Sequence, residues 1–246
     1  MTNKTNTTIK SYIPMIKFLA EILGPNCEVV LHDTKNYENS IIAIENNYIS
    51  GRKIGAPLTD LALKVLKDKE YLDVDYVKNY QAKTKDGKIL NSFTYFIKDS
   101  DGQILGFICI NKDVTNLIHT RDTLNELIFG TLTEKLIKEN ALNKPKVIED
   151  NLNEKNQKNT SNLVTENLSD SLDDLIEDMV QESILKNGVE PERMSPEEKI
   201  DIVKMLNEKG LFQIKGIVSK VAEYLQTSEA SVYRYLSKVQ NKKIKK

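Results

Sequence analysis

Near the end of the 246-residue chain, Tyr233, Arg234, Ser237 and Lys238 stand within six positions of one another. A guanidinium at that place can fork onto a guanine edge or clamp a phosphate, and the hydroxyls and the ammonium can bond to phosphates or bases. Their spacing matters because the intervening residues form an apolar stripe. Val232, Tyr235, Leu236 and Val239 recur at helical intervals, so the polar residues fall on the opposite face. Ser228 is placed to cap this helix, with Ser231 in its first turn. The expected contact surface is Thr227, Ser228, Glu229, Ala230, Ser231, Tyr233, Arg234, Ser237 and Lys238.

The elements that must hold this face are legible upstream. Val218, Val221, Ala222 and Leu225 give a second apolar stripe at i, i+3, i+4 and i+7, separated from the first by Gln226, Thr227 and Ser228. Before it, "SPEEKIDIVKMLNEKGLF" offers a helix capped by Ser195, with Pro196 at its first position, Glu198 completing a capping box and Gly210 stopping it after Lys209. Three short helices in this order make a helix-turn-helix unit. Residues 211–246 hold eight Lys or Arg against two Glu, a local +6, and the closing "NKKIKK" adds a basic arm suited to salt-dependent contact with double-stranded DNA. The alternative is a small helical domain that binds a protein partner.

Toward the N-terminus the periodicity changes. Ile13 to Leu23 is an amphipathic helix ended by Gly24-Pro25, "CEVVLHD" and "SIIAIEN" are strands, and "LTDLALKVLKD" is a second helix. "YVKNYQAKT", "ILNSFTYFIK" and "ILGFICIN" are three further strands separated by Asp-Gly turns. Five strands with inserted helices predict an antiparallel sheet of PAS type, and hence an α+β chain whose C-terminal part is all helical. After it, Leu117, Leu124, Leu127, Ile128 and Leu132 form a stripe that either pairs with its copy in a second chain or packs back on its own sheet. Residues 140–168 lack periodicity and read as a flexible linker. "SLDDLIEDMVQESILKNG" then gives a helix with Gly188 as its C-cap. The expected boundaries are 1–120 for a sensor domain, 121–169 for a connecting helix and linker, and 170–246 for the reader.

"GIVSKVAEYLQTSEASVYRYL" after "MSPEEKIDIVKMLNEKGLFQIK" resembles the C-terminal helix-turn-helix of bacterial regulators with a YheO-like PAS domain, the DauR-like group. "GPNCEVVLHD", "IIAIENNYISGRKIGAPLTDLAL" and "KTKDGKILNSFTYFIKDSDGQILGFICINKDVT" resemble the PAS part. The resemblance covers about residues 10–120 and 170–240. It implies a sequence-specific transcriptional regulator whose sensor responds to a small molecule or a partner. One departure stands out: Gln226 occupies a turn position that usually carries glycine. A positive φ there would cost roughly 1 kcal/mol.

Within the sensor, polar residues inside apolar strands are the ligand candidates: His32, Asn79, Ser92, Thr94 and Asn111, with Arg52 and Lys53 in the loop "SGRKIG". A carboxylate would suit the last two. Each has a plainer reading as a solvated or hydrogen-bonded group. Cys27 and Cys109 lack metal spacing and read as reduced structural thiols. His32 and His119 are the two histidines, and no nucleophile elbow, zinc pair or phosphate loop accompanies them. A non-enzymatic protein without metal or cofactor is therefore expected, with an unidentified small-molecule effector. No run of eighteen apolar residues and no signal-peptide core occurs, which points to the cytoplasm. The net charge of −1 conceals an acidic block of −10 over residues 147–198, ahead of the basic reader. The expected assembly is a homodimer that sets two recognition helices about 34 Å apart.

Overall fold

A computed structural model describes residues 9–129 and 165–243. Leu132, linker residues 140–164 and the last three residues of "NKKIKK" lie outside them. The first half opens with helix α1 (Ile13–Leu23), followed by strands β1 (Cys27–Asp33) and β2 (Ile41–Glu45) and helix α2 (Asp60–Asp68). Strands β3 (Tyr76–Thr84), β4 (Ile89–Lys98) and β5 (Ile104–Asp113) follow, and helix α3 (Thr115–Phe129) leaves the sheet. A further strand, β6 (Thr165–Leu168), precedes helices α4 (Leu172–Asn187), α5 (Pro196–Glu208), α6 (Ile217–Tyr224) and α7 (Glu229–Lys243).

The sheet has six strands rather than five, in the order β2-β1-β5-β4-β3-β6. The first five pair antiparallel, whereas β6 adds in parallel to the outer edge of β3, with Gln81 opposite Thr165 and Thr84 opposite Leu168. The expected linker is thus corrected at its end. "TENL" has no apolar alternation of its own, and it is a strand because β3 offers an unpaired edge and because Leu168 enters a cluster with Ile49, Ala82 and Leu90.

Strand alternation gives the sheet two unlike faces. On one, Val29, Leu31, Ile97, Leu105 and Ile108 pack beneath Ile16 and Ala20 of α1. The other carries Phe96 and Phe107, stacked edge to face at 5.7 Å, and a set of polar side chains. The main core is continuous from Phe96 and Phe107 through Leu63, Val65 and Leu66 of α2 into Leu175, Met179, Ile202, Leu206 and Val221 of the C-terminal helices. Burying a side chain of this size contributes about 1.5–3 kcal/mol, so the sheet half and the C-terminal helical half hold one another through shared apolar surface. At the seam, Gln213 Nε2 donates to the carbonyl of Leu63 at 2.9 Å. Gly210, at φ 84°, lies where an added Cβ would come within 2.7 Å of that same carbonyl.

Helix ends follow the capping signals in the sequence. Ser195 and Glu198 form the reciprocal capping box of α5, Ser171 caps α4, and Gly188 ends it at φ 78°. The acidic block is drawn onto nearby lysines: Lys209 and Lys186 both bond Glu182, at 2.5 and 2.6 Å, and Lys220 pairs with Asp173. Among the described residues no helix is long and apolar enough to cross a membrane.

Candidate functional site

The turn between α6 and α7 is closed by two hydrogen bonds that end α6 as a Schellman motif. Thr227 N–H donates to Ala222 O at 2.9 Å and Gln226 N–H to Glu223 O at 3.0 Å. This motif demands a left-handed residue at the position of Gln226, whose φ is 47°. The side chain is used where glycine would have none: Gln226 Nε2 donates to Glu192 Oε1 at 3.2 Å. The Gln226 backbone carbonyl accepts from Lys199 Nζ at 3.3 Å. Ser228 Oγ accepts from Ser231 N–H at 3.2 Å, which caps α7 as its sequence indicates.

Val232, Tyr235, Leu236 and Val239 of α7 are buried, and Ala230, Tyr233, Arg234, Ser237 and Lys238 are exposed. Ser228 and Glu229 are exposed as well, while Thr227 and Ser231 are half-buried at the turn. On α6 and its C-cap, Val221, Ala222 and Leu225 are buried as expected, Ile217 completes the face, and Val218 is half-buried at its edge. Arg234 lies along the helix, with Nη2 3.4 Å from Ser231 Oγ and Cζ 5.7 Å from the Tyr235 ring centre. Ser237 Oγ donates to Tyr233 O at 3.0 Å. These groups form one free surface on a helix whose N-terminus is open, the arrangement that can enter a groove and bond to base edges.

A second constellation lies inside the N-terminal half. Glu28 of β1, Asn111 of β5 and Ser92 of β4 are cross-strand neighbours on the polar face of the sheet. They bond in series: Ser92 Oγ donates to Asn111 Oδ1 at 2.8 Å, and Asn111 Nδ2 donates to Glu28 Oε1 at 2.9 Å. Ser50 donates to the other Glu28 oxygen through N–H and Oγ–H. Burial pushes the Glu28 carboxyl upward, and the bonds from Ser50 and Asn111 pull it back. Tyr80, Thr94 and Cys109 form an adjoining chain, with Tyr80 Oη 2.8 Å from Thr94 Oγ1 and that atom 3.3 Å from Cys109 Sγ. Burial pushes the Cys109 thiol up to about 12, and Glu166 adds to the rise.

His32 is buried beside Ser40, at 2.8 Å from Nδ1 to Oγ, and burial followed by the charge of Arg52 holds it well below its ordinary range, so it is neutral. Arg52 and Lys53 do not act as a pair: Arg52 is 1% exposed and Lys53 faces water. Asn79 is apart too, exposed at φ 57° in the bulge where β3 shifts register against β4. Ser92 and Asn111 come together, Thr94 joins the adjoining chain, and His32 and Arg52 lie at the margin. Glu28, Ser50, Thr59, Tyr80 and Glu166 complete the polar interior and were not among the sequence candidates. Glu28 had a signal, being an acid two positions before Val30 on the inward side of an apolar strand. No group of three or more His, Cys, Asp or Glu among the described residues could hold a metal ion.

Comparison with known proteins agrees with both halves. A family model for the YheO-like PAS domain matches residues 2–129, and one for a helix-turn-helix domain matches residues 175–237. The protein YheO of Escherichia coli (strain K12) is 30% identical, with the match covering 93% of this chain and 83% of that protein. A protein of Haemophilus influenzae (strain Rd) is 27% identical over 97% of this chain and 94% of its own. The transcriptional regulator DauR of Pseudomonas aeruginosa (strain PAO1) is 28% identical over 47% of this chain and 51% of its own length. With one domain model spanning more than half of the sequence and a relative matched along nearly all of it, the chain belongs to the family of YheO-like PAS proteins and carries a helix-turn-helix domain after the PAS domain.

Proposed function

We propose that the protein is a cytoplasmic, dimeric transcriptional regulator that reads double-stranded DNA with α7 and senses a small molecule or a partner with its PAS domain. The observation that carries this is the exposed face of α7, where Tyr233, Arg234, Ser237 and Lys238 face outward beside the helix N-terminus that Ser228 caps. The domain pairing supports the same reading, as does a regulator among the relatives. Arg234 takes the base-reading or phosphate-clamping role, Tyr233 and Ser237 donate to the backbone or bases, Lys238 supplies charge, and Thr227, Ser228, Glu229, Ala230 and Ser231 approach at the helix start. The sensor contributes Ser92, Thr94, Asn111 and Arg52 to its ligand, with His32, Lys53 and Asn79 as outlying candidates.

Capture of genomic fragments by the purified protein at moderate salt, beside a Tyr233→Ala, Arg234→Ala double variant, tests the reading. Discrete peaks that the variant loses support sequence-specific regulation. Retention that ignores the variant assigns the helical domain to a protein partner instead. The salt dependence separates the same alternatives, since DNA contact predicts an affinity that falls steeply with salt and a partner module predicts a shallow slope.

A further inference from the structure

The polar interior of the sensor contains a cation without its counterpart. Arg52 is 1% exposed, its Nη2 donates to Pro57 O at 2.5 Å, and its Nε has no hydrogen-bond partner among the described residues. No carboxylate of the described residues stands within ion-pair distance of it, although Glu28 and then Glu166 act on it from further away. Buried guanidinium groups are ordinarily paired and fully bonded, because an uncompensated charge in the interior is costly.

Glu166 is the second half of the observation. It is 4% exposed and belongs to β6, the strand that reaches the sensor from outside its five-stranded sheet. The hydroxyl of Thr59 donates to its Oε1, and the Tyr80 hydroxyl lies close enough to lower its pKa. Its neighbour Asn167 holds Asp60 through N–H and Nδ2, at 3.3 and 3.1 Å. Thr59 also caps α2, so β6 grips the first turn of α2 at two places. The far side of α2 packs on the reader, and three residues beyond Leu168 the cap Ser171 opens α4. A cleft of 390 Å³ lined by Lys53, Gly55, Pro57, Asp170 and Leu172 opens at this junction, beside the loop that carries Arg52.

We propose that Arg52 anchors the carboxylate of a small organic acid, that Glu166 is a tethered carboxyl filling part of this site in its absence, and that the acid's arrival expels Glu166 and undocks β6. The protein shows the chemistry that the site accepts, because a carboxyl already sits against the Thr59 and Tyr80 hydroxyls. A free acid that also reached the unpartnered Arg52 Nε would make a charge-assisted pair that Glu166, held by the strand, does not make. Loss of β6 frees the first turn of α2 and the start of α4 together, which loosens the reader from the sensor. That output rests on the sensor-and-reader function proposed above; the binding step does not.

The test uses the full chain with acetate, pyruvate and succinate as probes, acetamide and succinamide as their uncharged counterparts, and inorganic phosphate as a different anion. Hydrogen exchange at residues 165–168 and calorimetric binding are the readouts. The expected result is that at least one carboxylate binds and accelerates exchange in β6 while the amides do neither. Glu166→Ala removes the internal competitor, so it exchanges fast in β6 without any acid and binds the carboxylate about tenfold more tightly. Arg52→Gln, checked for native circular dichroism, loses the response. Binding of none of the acids, preference for phosphate, binding that leaves β6 protected, or an unchanged affinity in Glu166→Ala each overturns the proposal. DNA binding is measured separately on the same samples: its absence in the unaltered protein sinks the regulator reading alone, whereas DNA binding with no acid response sinks this one alone.

Discussion

Gln226 has the left-handed backbone that its place after α6 requires, at φ 47°. The departure from glycine was legible in the sequence because the turn length and the Leu225 that precedes it fix where the chain must reverse. What the sequence did not disclose is the compensation, the bond to Glu192 from a neighbouring turn. That bond is exposed and contributes little, while relief of the left-handed strain is worth about 1 kcal/mol. Gln226→Gly should therefore stabilise the protein, raising its Tm by about 2–4 °C in a thermal scan, with DNA affinity retained. A fall in Tm would show that the Gln226 side chain organises the turn. Arg234→Ala, by contrast, removes only an exposed bond to Ser231 and the contact over the Tyr235 ring, and should weaken binding to a specific duplex by about ten- to a hundredfold while changing Tm little. For the cysteines, desolvation raises both thiols, that of Cys109 to about 12, so neither presents a thiolate near neutral pH, although Cys109 is only half-buried. A thiol reagent should label them only as fast as the protein unfolds; prompt labelling of Cys109 in the native state would make it a candidate redox group.

Elements with their own periodicity were legible in the sequence nearly to the residue, and β6 was not. The spans "YVKNYQAKT" and "ILNSFTYFIK" are β3 and β4 as written, since each carries several alternations and ends at an Asp-Gly turn. A four-residue parallel strand carries no such pattern, and its pairing is decided by the edge it meets. The polar interior showed only in part for a similar reason: its members come from five strands and the loop before α2, and only strand register brings Ser92, Asn111 and Glu28 into line. The docking of β6 has a pH dependence whose sign follows from Glu166. Burial pushes its carboxyl up to about 7, and Asp60 adds to this, while the bonds from Thr59 and Tyr80 and the charge of Arg52 pull it down. A raised carboxyl binds more protons docked than free, so docking is strongest below its ordinary pKa of 4.5 and weakens as pH rises toward about 7, by at most about 1.4 kcal/mol per pH unit. Above that range the dependence levels off. Asp60 is raised by burial and titrates in the same sense, so the contribution of Glu166 is the difference from Glu166→Gln. Hydrogen exchange at residues 165–168, corrected for its intrinsic pH dependence, should speed up between pH 5 and 7 in the unaltered protein and do so less steeply in that variant.

At the scale of the whole molecule, the shared core makes one unit of the PAS half and the helix-turn-helix half, and two apolar stripes remain outside it. On α3, Leu117, Leu124, Leu127 and Ile128 are between 52% and 76% exposed, so this helix does not pack back on its own sheet. On α1, Phe18 and Ile22 are 63% and 64% exposed, on the side away from Ile16 and Ala20. A lone recognition helix reads only a few base pairs, and regulators of this shape gain affinity by placing two of them on a symmetric site. A second copy seated on these stripes would cover the apolar surface and supply the second helix in one step. Leu124→Lys with Ile128→Lys lies outside the core and should leave circular dichroism unchanged, while sedimentation shifts from dimer to monomer. Affinity for a two-half-site duplex should then fall by about 10²–10⁴, the part owed to simultaneous engagement, and affinity for a single half-site should stay as it was. An unaltered protein that sediments as a monomer would remove the dimer from the proposal. A dimer that survives both lysines would move the contact from α3 to α1, where Phe18→Lys makes the same test.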